Sequence, residues 1–477
     1  MFIVINNIRK EYENLMCESN FLGKLIASKT NEHDTVVISC RTSFEQIECF
    51  IGCIMYNRVP IIIPHPSNKV FPYEFQNKLE KINQVVHPSL CISDKIDEDV
   101  FNKHWPVISD LVCKESDDNL DYDFIKDSDE IAFTQLSSGT TGLPKVMHVT
   151  HNAIKKQCLE YGNVIDLNDN DVIISWLPLY HDMGLIATLM LPILHKVSFV
   201  HINAFDWLIN PELLFQAIEK YKGTLTWLPN FAFSLLAKRC HKSILKLDTM
   251  RQWISCSEMA KYIDITKFVE TFNKNGVTIN ELFICYALAE NIFAVSHTNK
   301  VISSFEENVL SCGKILPGTS VFISPAGNVL IKSSYMTFPI NKDENGYYDT
   351  GDIGFVKDNE LYIKGRSDDM IISYGKNIFP YMIEHSVCNL SNVISGRVAC
   401  FGVYNDRLGT EKVHIVAECI DITQKDTIKE INDIMISFDL TASIYLRSNG
   451  YIIKTSSGKI ARKRTRDKLL NELKGNL

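Results

Sequence analysis

The chain alternates short β-branched runs with helix-length segments, and this alternation restricts its fold more than any other feature. Apolar runs that predict strands are Thr35–Ser39, Val59–Pro64, Val172–Trp176, Val197–Ile202, Thr224–Leu228, Trp253–Cys256 and Leu282–Tyr286. Several are apolar at successive residues, as in strands that are covered on both faces. Helical apolar spacing predicts helices at Phe44–Tyr56, Glu212–Tyr221 and Ala232–Arg239. We therefore predict an α/β protein whose large N-terminal domain is doubly wound around parallel sheets.

The pattern changes after residue 364, where the polar, turn-like run Gly365–Asp369 follows. Beyond this run the sequence predicts a helix, two strands, a second helix and a short strand, at 380–390, 398–403, 413–419, 425–438 and 443–446. About a hundred residues suffice for an independent domain. We predict an N-terminal domain at 1–364, a hinge at 365–369 and a small mobile α+β domain at 370–477.

Composition and charge exclude several classes of protein. Of the 477 residues, 45% are hydrophobic and 22% are charged, which predicts a globular chain with a real core. The net charge of −8 argues against a nucleic-acid binder, which would normally be basic. No apolar run reaches the roughly 18 residues that cross a bilayer, so we expect no membrane insertion.

Localisation is predicted from the first residues and the cysteines. Met1–Lys10 lack the basic segment and apolar stretch of a secretion signal. The fourteen cysteines are scattered without a C-x-x-C pair, which favours reduced thiols over disulfides or a zinc site. We expect a cytoplasmic protein.

The run Leu136–Lys145 (LSSGTTGLPK) combines glycines, hydroxyls and a lysine directly after the apolar stretch Ile131–Phe133. Glycines allow a tight turn in which N–H groups and hydroxyls point at one anion, so the loop is a candidate phosphate site. It is not a Walker loop, because Pro144 stands where that pattern requires a glycine. Taken alone, such a loop is more often only a linker.

Five further motifs follow in order: WLPLYHDMGL at 176–185, YALAE at 286–290, YDTGD at 348–352, the glycine–arginine linker at 365–369 and KTSSGK at 454–459. With the loop at 136–145, they resemble the adenylate-forming superfamily of AMP-forming acyl ligases over residues 35–465. The stretches at 176–185, 229–233 and 255–259 are similar to the narrower group of fatty acyl-AMP ligases. Such enzymes adenylate a fatty acid and pass it to the phosphopantetheine arm of a carrier protein.

The resemblance implies ATP and Mg²⁺ as cofactors, with Lys459, Glu290 and Thr141 as catalytic residues. The phosphate loop would comprise Ser137, Ser138, Gly139, Thr140, Thr141, Gly142 and Lys145. Glu290 would hold the magnesium, since a hard cation takes carboxylate oxygen. Lys459 would reach the acyl carboxylate and the α-phosphate and stabilise the transition state. On residue type alone, Glu290 and Lys459 are more often solvated surface residues.

The nucleoside has three candidate contacts. Asp352 would accept hydrogen bonds from the ribose hydroxyls, with Arg366 as a second contact, and Tyr286 could stack on the adenine. The alternatives are a turn aspartate that bonds the local backbone and a tyrosine of the ordinary core.

Acyl-substrate candidates are His181, Leu228, Pro229, Phe231, Phe233, Ser257 and Glu258. His181 would gate the acyl or nucleotide pocket, and the apolar side chains would line an acyl tunnel. A packed histidine is an equally reasonable explanation of His181, and aromatic side chains at this spacing are more often plain core. Asp368 occupies the position of the family's hinge residue, where an exposed linker can absorb a rotation of the small domain.

The expected partners are a fatty or other carboxylic acid and an acyl or peptidyl carrier protein, or alternatively coenzyme A. Seven basic residues against one acid in Lys454–Lys468 predict either a solvated helix end or a docking surface for an acidic carrier, with Arg462, Lys463 and Arg464 as contacts. Ala287 and Cys312 are only 25 positions apart, where fatty acyl-AMP ligases are expected to carry extra sequence that hinders coenzyme A. An acyl-CoA ligase, an aryl- or amino-acid-adenylating enzyme and an inactive acyl- or nucleotide-binding relative therefore remain alternatives.

Overall fold

A computed structural model describes residues 1–66, 72–111, 123–137, 144–299, 305–306, 309–454 and 459–475. Its chain divides into two compact units. The N-terminal unit comprises Met1–Phe322, Ile331–Tyr348 and Val356–Tyr362, and the C-terminal unit comprises Ile323–Leu330, Asp349–Phe355 and Ile363–Leu477. The C-terminal unit thus includes two segments that precede the predicted hinge, and the boundary at residue 364 remains a prediction.

The first sixteen strands belong to the N-terminal unit. They are β1 (Phe2–Ile5), β2 (Ile8–Glu11), β3 (Thr35–Ser39), β4 (Val59–Ile62), β5 (Leu90–Ser93), β6 (Val107–Ile108), β7 (Ile131–Ser137), β8 (Lys145–Thr150), β9 (Val172–Ser175), β10 (Ser198–His201), β11 (Leu225–Leu228), β12 (Gln252–Cys256), β13 (Leu282–Ala287), β14 (Ala294–His297), β15 (Phe305–Glu306) and β16 (Val309–Ile315). Residues of both units contribute to β17 (Thr319–Ile323), β18 (Asn328–Ser333), β19 (Tyr348–Lys357) and β20 (Glu360–Arg366).

Helices connect many of these strands. Those of the N-terminal unit are α1 (Tyr12–Ala27), α2 (Phe44–Met55), α3 (Pro72–Val86), α4 (Glu98–Phe101), α5 (His151–Val164), α6 (Leu191–Leu194), α7 (Ala204–Ile209), α8 (Leu213–Tyr221), α9 (Asn230–Arg239) and α10 (Tyr262–Phe272). A π-helical segment, Met183–Met190, leads directly into α6. Among the described residues, no helix has both the length and the apolarity needed to cross a membrane.

Two sheets organise the N-terminal unit. One has the order β6-β5-β3-β4-β7-β8, and all its pairs are parallel except β7–β8. The other includes β13-β12-β11-β9-β10-β1 as parallel neighbours, with antiparallel β14 and β2 beside them. The predicted α/β class is confirmed, but the sheets are mixed rather than wholly parallel, because hairpins such as β7–β8 reverse the chain.

Both faces of the first sheet are covered, which explains the continuous apolar runs in its strands. Val36 and Ile38 of β3 face one apolar cluster, and Val37 between them belongs to another. Successive side chains of a strand point to opposite faces, so each strand contributes to two layers of core.

The C-terminal unit is built on a small sheet, β23-β24-β25, formed by Val393–Asn405, Thr410–Cys419 and Ala442–Arg447. A hairpin, β21 (Ile371–Ser373) and β22 (Lys376–Ile378), precedes it, and the helices are α11 (Pro380–Cys388), α12 (Lys425–Ser437) and α13 (Arg462–Gly475). Cys400 of β23 packs with Ile383 of α11 and Ile431 of α12, whereas Phe401 packs with Leu469 of α13. The sheet is therefore covered by helices on both faces.

Candidate active site

Several predicted site residues of the N-terminal unit lie at the ends of neighbouring strands. Leu228 ends β11, and Ser257 directly follows β12. Glu290 lies in the turn Ala289–Asn291 after β13. These three strands are adjacent and parallel, so their carboxyl ends lie at one edge of the sheet. In open α/β sheets, ligands bind at this edge.

A lysine–carboxylate–phenol cluster forms the centre of this region. Lys145 Nζ donates to Glu290 Oε1 at 2.9 Å and to the Tyr348 hydroxyl at 3.2 Å. The Tyr348 hydroxyl donates to the same oxygen of Glu290 at 3.1 Å. Glu290 is well shielded, with 17% of its side chain exposed. Residues far apart in sequence thus place one cation and one hydroxyl on a single carboxylate oxygen.

The electrostatics of the cluster keep both charges in place. Burial acts to raise the pKa of Glu290, but the hydrogen bond and charge of Lys145 outweigh it and the pKa lies below the usual range. Burial acts to lower the pKa of Lys145, and Glu290 and Tyr348 reverse this effect. Glu290 is therefore an ionised carboxylate paired with a cationic side chain, and carboxylate oxygen is also a ligand that fits Mg²⁺.

The turn that carries Glu290 is tightly held. Thr337 donates its backbone N–H at 3.0 Å and its hydroxyl at 3.1 Å to the Glu290 carbonyl. Asn291 is fully buried and donates to the Ala294 carbonyl. Ile292 follows with φ +62° and ψ −52°, and Phe293 N–H bonds the Asn291 carbonyl at 2.6 Å, which closes a γ-turn. A positive φ is strained for a β-branched residue, so surrounding contacts must hold this backbone.

The HDMG motif lies at the start of a π-helical segment and makes a close contact with the backbone. Asp182 caps the segment Met183–Met190 with its side chain on Met183 N. A Cβ on Gly184 would meet the Pro178 carbonyl oxygen at 2.2 Å, so only glycine fits there. His181 lies beside Tyr180, with ring centroids 4.7 Å apart. π-helical turns often mark functional sites.

The predicted acyl-binding residues differ in their surroundings. Leu228 and Phe233 are fully buried, and Phe233 packs edge-on against Phe268 at 5.2 Å. Phe231 is half-buried and meets Trp176 at 6.2 Å, while its backbone N–H donates to Glu258 at 3.0 Å. Pro229 is also buried. A role of these residues in an acyl tunnel remains a proposal. The burial of Leu228 and Phe233 is also what ordinary core residues show.

Ser257 has a left-handed backbone with φ +64°, and its hydroxyl lies 3.5 Å from the sulfur of Met183. Tyr286 is half-buried on β13. Of the predicted phosphate loop, Ser138, Gly139, Thr140, Thr141 and Gly142 lie outside the described residues. Ser137 ends β7 opposite Lys145, so the loop joins two paired strands.

The C-terminal unit contains the other predicted site residues. Asp352 is 5% exposed on β19, so it lies in a strand rather than a turn. Arg366 Nη1 approaches its carboxylate at 3.3 Å. Asp368 is exposed in the turn Ser367–Asp369, and Lys459 is exposed before α13. The rest of the KTSSGK motif between Lys454 and Lys459, residues 455–458, lies outside the described residues.

Two findings correct or extend the sequence analysis. Arg462 was predicted as a docking contact but is bonded inside its unit to Glu384 and Asp369. Tyr348, the first residue of the YDTGD motif, was given no role, although it contacts both Lys145 and Glu290. Its place in that motif is the signal that could have identified it.

Solved structures share this architecture. A structure from studies of fatty acyl-adenylate ligases of E. coli and L. pneumophila has a TM-score of 0.88 at 23% identity, and the match covers 99% of this chain and 96% of that one. The fold is that of the adenylate-forming ligases. A family model described as "AMP-binding enzyme" matches residues 2–330, and the chain belongs to that family.

Curated relatives agree with this assignment. The medium-chain-fatty-acid–[acyl-carrier-protein] ligase JamA of Moorena producens (strain JHB) is 25% identical, and the match covers 96% of this chain and 89% of JamA. A Mycobacterium tuberculosis protein named as a ligase, Rv1013, is 29% identical over 315 residues, and the match covers 56% of this chain and 58% of that protein. The predicted similarity to the superfamily and to its fatty acyl-AMP ligases is confirmed.

Proposed function

We propose that the chain activates a carboxylic acid, in particular a fatty acid, with ATP and then loads it onto the phosphopantetheine thiol of a carrier protein. In the first step an acid oxygen bonds to the α-phosphorus of ATP, and pyrophosphate leaves. In the second step the thiol sulfur bonds to the acyl carbon, its proton is lost and AMP leaves. The names of JamA and other relatives support this substrate class and this acceptor.

The cluster of Lys145, Glu290 and Tyr348 is the observation that carries the proposal. It supplies an ionised carboxylate, a cation and a hydroxyl at the strand edge where the phosphate loop begins. Lys145 would leave Glu290 for the phosphates, and the carboxylate would then hold Mg²⁺. The metal would screen the charge of the phosphates when it is bound.

The remaining residues have roles that follow the same proposal. Asp352 would bind the ribose hydroxyls, Arg366 would contact the nucleotide, and Tyr286 would stack on adenine. Lys459 would stabilise the charge that develops between the acyl carboxylate and the α-phosphate. Asp368 would be the pivot about which the C-terminal unit turns between the two half-reactions.

A competition assay tests the proposal. The purified protein receives ATP, Mg²⁺, a series of fatty acids, coenzyme A and a phosphopantetheinylated carrier protein, and intact-mass spectrometry identifies the products. We expect acyl-carrier as the main product, with its mass giving the preferred chain. Acyl-CoA as the main product would support the second candidate, an acyl-CoA ligase, which the short segment between Ala287 and Cys312 favours.

Absence of acyl-AMP with every acid would contradict both enzyme functions. The remaining function would then be binding of an acyl chain or a nucleotide without catalysis. Nucleotide binding measured by calorimetry would then identify the retained ligand.

A further inference from the structure

Arg462 links three segments of the C-terminal unit. Its Nε and Nη2 donate to the two carboxylate oxygens of Glu384, each at 2.7 Å, and its Nη1 donates to Asp369 at 2.5 Å. Its side chain is 22% exposed, and that of Glu384 is 7% exposed. The two parallel bonds to Glu384 use the planar fork of the guanidinium, a geometry that lysine does not reproduce.

Glu384 is itself held by the core of the unit. It lies on α11 beside the buried Ile383, and its Oε1 also accepts the Cys400 backbone N–H at 2.9 Å. Helix α11 and strand β23 therefore orient the carboxylate that receives Arg462. A buried carboxylate with this many donors is a rigid anchor.

Asp369 is the last residue of the predicted hinge and directly follows Asp368. Its ion pair with Arg462 attaches the end of the hinge to the same anchor. Asp369 therefore belongs to the part of the unit that Arg462 holds together.

The segment that carries Lys459 ends at this anchor. Lys454 and Ile460 form an isolated β-bridge, and Ala461 N–H bonds the Ile453 carbonyl at 2.9 Å. Arg462 then begins α13, three residues after Lys459. Lys459 itself is exposed, so we expect its position to follow from Ile460, Ala461 and Arg462, which come directly after it.

We propose that Arg462 is a positioning residue for Lys459, because it ties the first turn of α13 to Asp369 and so holds Lys459 at a constant distance from the pivot. This inference rests on the proposed function, in which Lys459 acts between the acyl carboxylate and the α-phosphate. We accordingly expect Lys459→Ala to abolish acyl-AMP formation and to spare thioester formation from supplied acyl-AMP. Loss of the tie would misplace Lys459 without removing it. Only the first half-reaction would then be slowed.

The two half-reactions separate this role from general stability. Arg462→Gln in the full chain is expected to lower kcat for acyl-AMP formation by about 10- to 100-fold, the scale of a misplacement of about 1 Å. Thioester formation from supplied acyl-AMP and carrier is expected to stay near the wild-type rate, as for Lys459→Ala. Arg462→Lys keeps the charge without the fork and is expected to give an intermediate kcat, and it replaces the glutamine variant if that fails to fold.

Arg447→Gln is the matched control. Arg447 pairs with Glu472 of α13 at 2.8 Å and has 24% of its side chain exposed, close to the value for Arg462. The control should leave both half-reactions and their ratio unchanged. A selective loss of adenylation in Arg447→Gln, or an equal loss of both half-reactions in the Arg462 variants, would overturn the inference.

Hydrogen exchange tests the tie without reference to activity. In Arg462→Gln, amides of 367–370 and 460–465 should exchange faster, while those of α12 stay at the wild-type rate. Unchanged exchange in both segments would refute the inference. A wild-type protein that makes no acyl-AMP would instead refute the proposed function, so the two failures are distinguishable.

Discussion

At the scale of single residues, the meeting of Lys145 and Tyr348 on Glu290 gives each side chain a separate task. Under the proposed function, Lys145 would move its charge to an incoming phosphate, whereas Tyr348 would stay on the carboxylate as a neutral donor. Burial raises the pKa of the Tyr348 phenol, so it remains a donor near neutral pH. We therefore expect Tyr348 to orient Glu290 in both the empty and the occupied site.

Tyr348→Phe removes this donor and leaves the ring. We expect the KM for Mg·ATP to rise about 10- to 150-fold, because a hydrogen bond to a charged group contributes roughly 1.5–3 kcal/mol, while the melting temperature changes little. The measurement is pyrophosphate release at varied Mg²⁺, together with binding of Mn²⁺ by electron paramagnetic resonance. Tyr347→Phe is the control for loss of a neighbouring phenol, and equal effects of both variants would contradict a special role of Tyr348.

Burial also affects a histidine outside the site. His297 ends β14 and lies against the Tyr161 hydroxyl at 3.4 Å, and burial lowers its pKa to about 3. In the unfolded chain the histidine has an ordinary pKa near 6.5, so it binds a proton that it does not bind in the folded protein. The stability is therefore full above about pH 6.5 and is lost as the pH falls towards 3.

For each pH unit below 6.5, we expect His297 to lower the free energy of unfolding by about 1.4 kcal/mol. Urea unfolding at pH 7, 6 and 5 measures this slope. His297→Gln should make the dependence shallower by that amount, whereas His241→Gln, at an exposed position, serves as the control. An unchanged slope in His297→Gln would rule out this titration.

At the scale of elements, an arginine–aspartate pair joins the end of α5 to the start of β9 and β12. Arg251 donates to both oxygens of Asp171, at 2.7 and 2.6 Å, and to the Ile165 carbonyl at 2.8 Å. Only 3% of the Asp171 side chain is exposed. Burial acts to raise the pKa of Asp171, but Arg251 and its other donors outweigh it and keep the pKa low.

Arg251→Gln would leave a buried carboxylate without its cation. We expect the free energy of unfolding to fall by about 3–5 kcal/mol, the usual effect of breaking a buried pair. Arg9→Gln, which breaks the exposed pair with Glu11, should change it by less than about 1 kcal/mol. Urea denaturation compares the two, and similar losses would show that burial does not decide the effect.

The elements that could be predicted from local pattern are mainly the covered strands and the amphipathic helices, since burial leaves a clear apolar signature in them. The prediction Val59–Pro64 became β4 at Val59–Ile62, and 380–390 became α11 at Pro380–Cys388. Strand β1 was missed: it is only four residues long, and it lies between the neighbouring β2 and β10, which is nearly two hundred positions away. Its pairing with β10 leaves no local sequence signal.

Candidate site residues could be chosen from the sequence, but the contacts between them could not. Motif order identified Lys145 and Glu290, yet their contact with Tyr348 depends on three segments that only the fold brings together. Arg462 was mistaken for a surface residue because its partners, Glu384 and Asp369, lie 78 and 93 positions away. Charge runs in a sequence do not reveal which cations are neutralised internally.

At the scale of the whole molecule, the proposed docking of an acidic carrier protein now depends on the remaining basic residues of α13. Lys463 and Arg464 are exposed, in contrast to Arg462. Because exposed charges attract a partner mainly over long range, their effect should depend on salt.

We expect the double variant Lys463→Ala/Arg464→Ala to raise the KM for carrier several-fold at low salt, with the difference from wild type shrinking towards about 1 M salt. Thioester formation at varied carrier concentration measures this, and acyl-AMP formation provides the internal reference. Lys425→Ala on α12 is the matched control for loss of a surface cation. Equal KM values for the double variant and the wild type would refute docking on α13.

The strained turn at Ile292 has a consequence for protein engineering. Residues with positive φ commonly cost about 1–3 kcal/mol, and glycine would remove most of that cost at position 292. The Ile292 side chain is fully buried in the core, however, and deleting a buried isoleucine costs about 2–5 kcal/mol. Glycine at this position is therefore expected to lower the melting temperature even though it relaxes the backbone. Position 292 is thus a site where a substitution chosen from backbone geometry alone would fail to stabilise the protein.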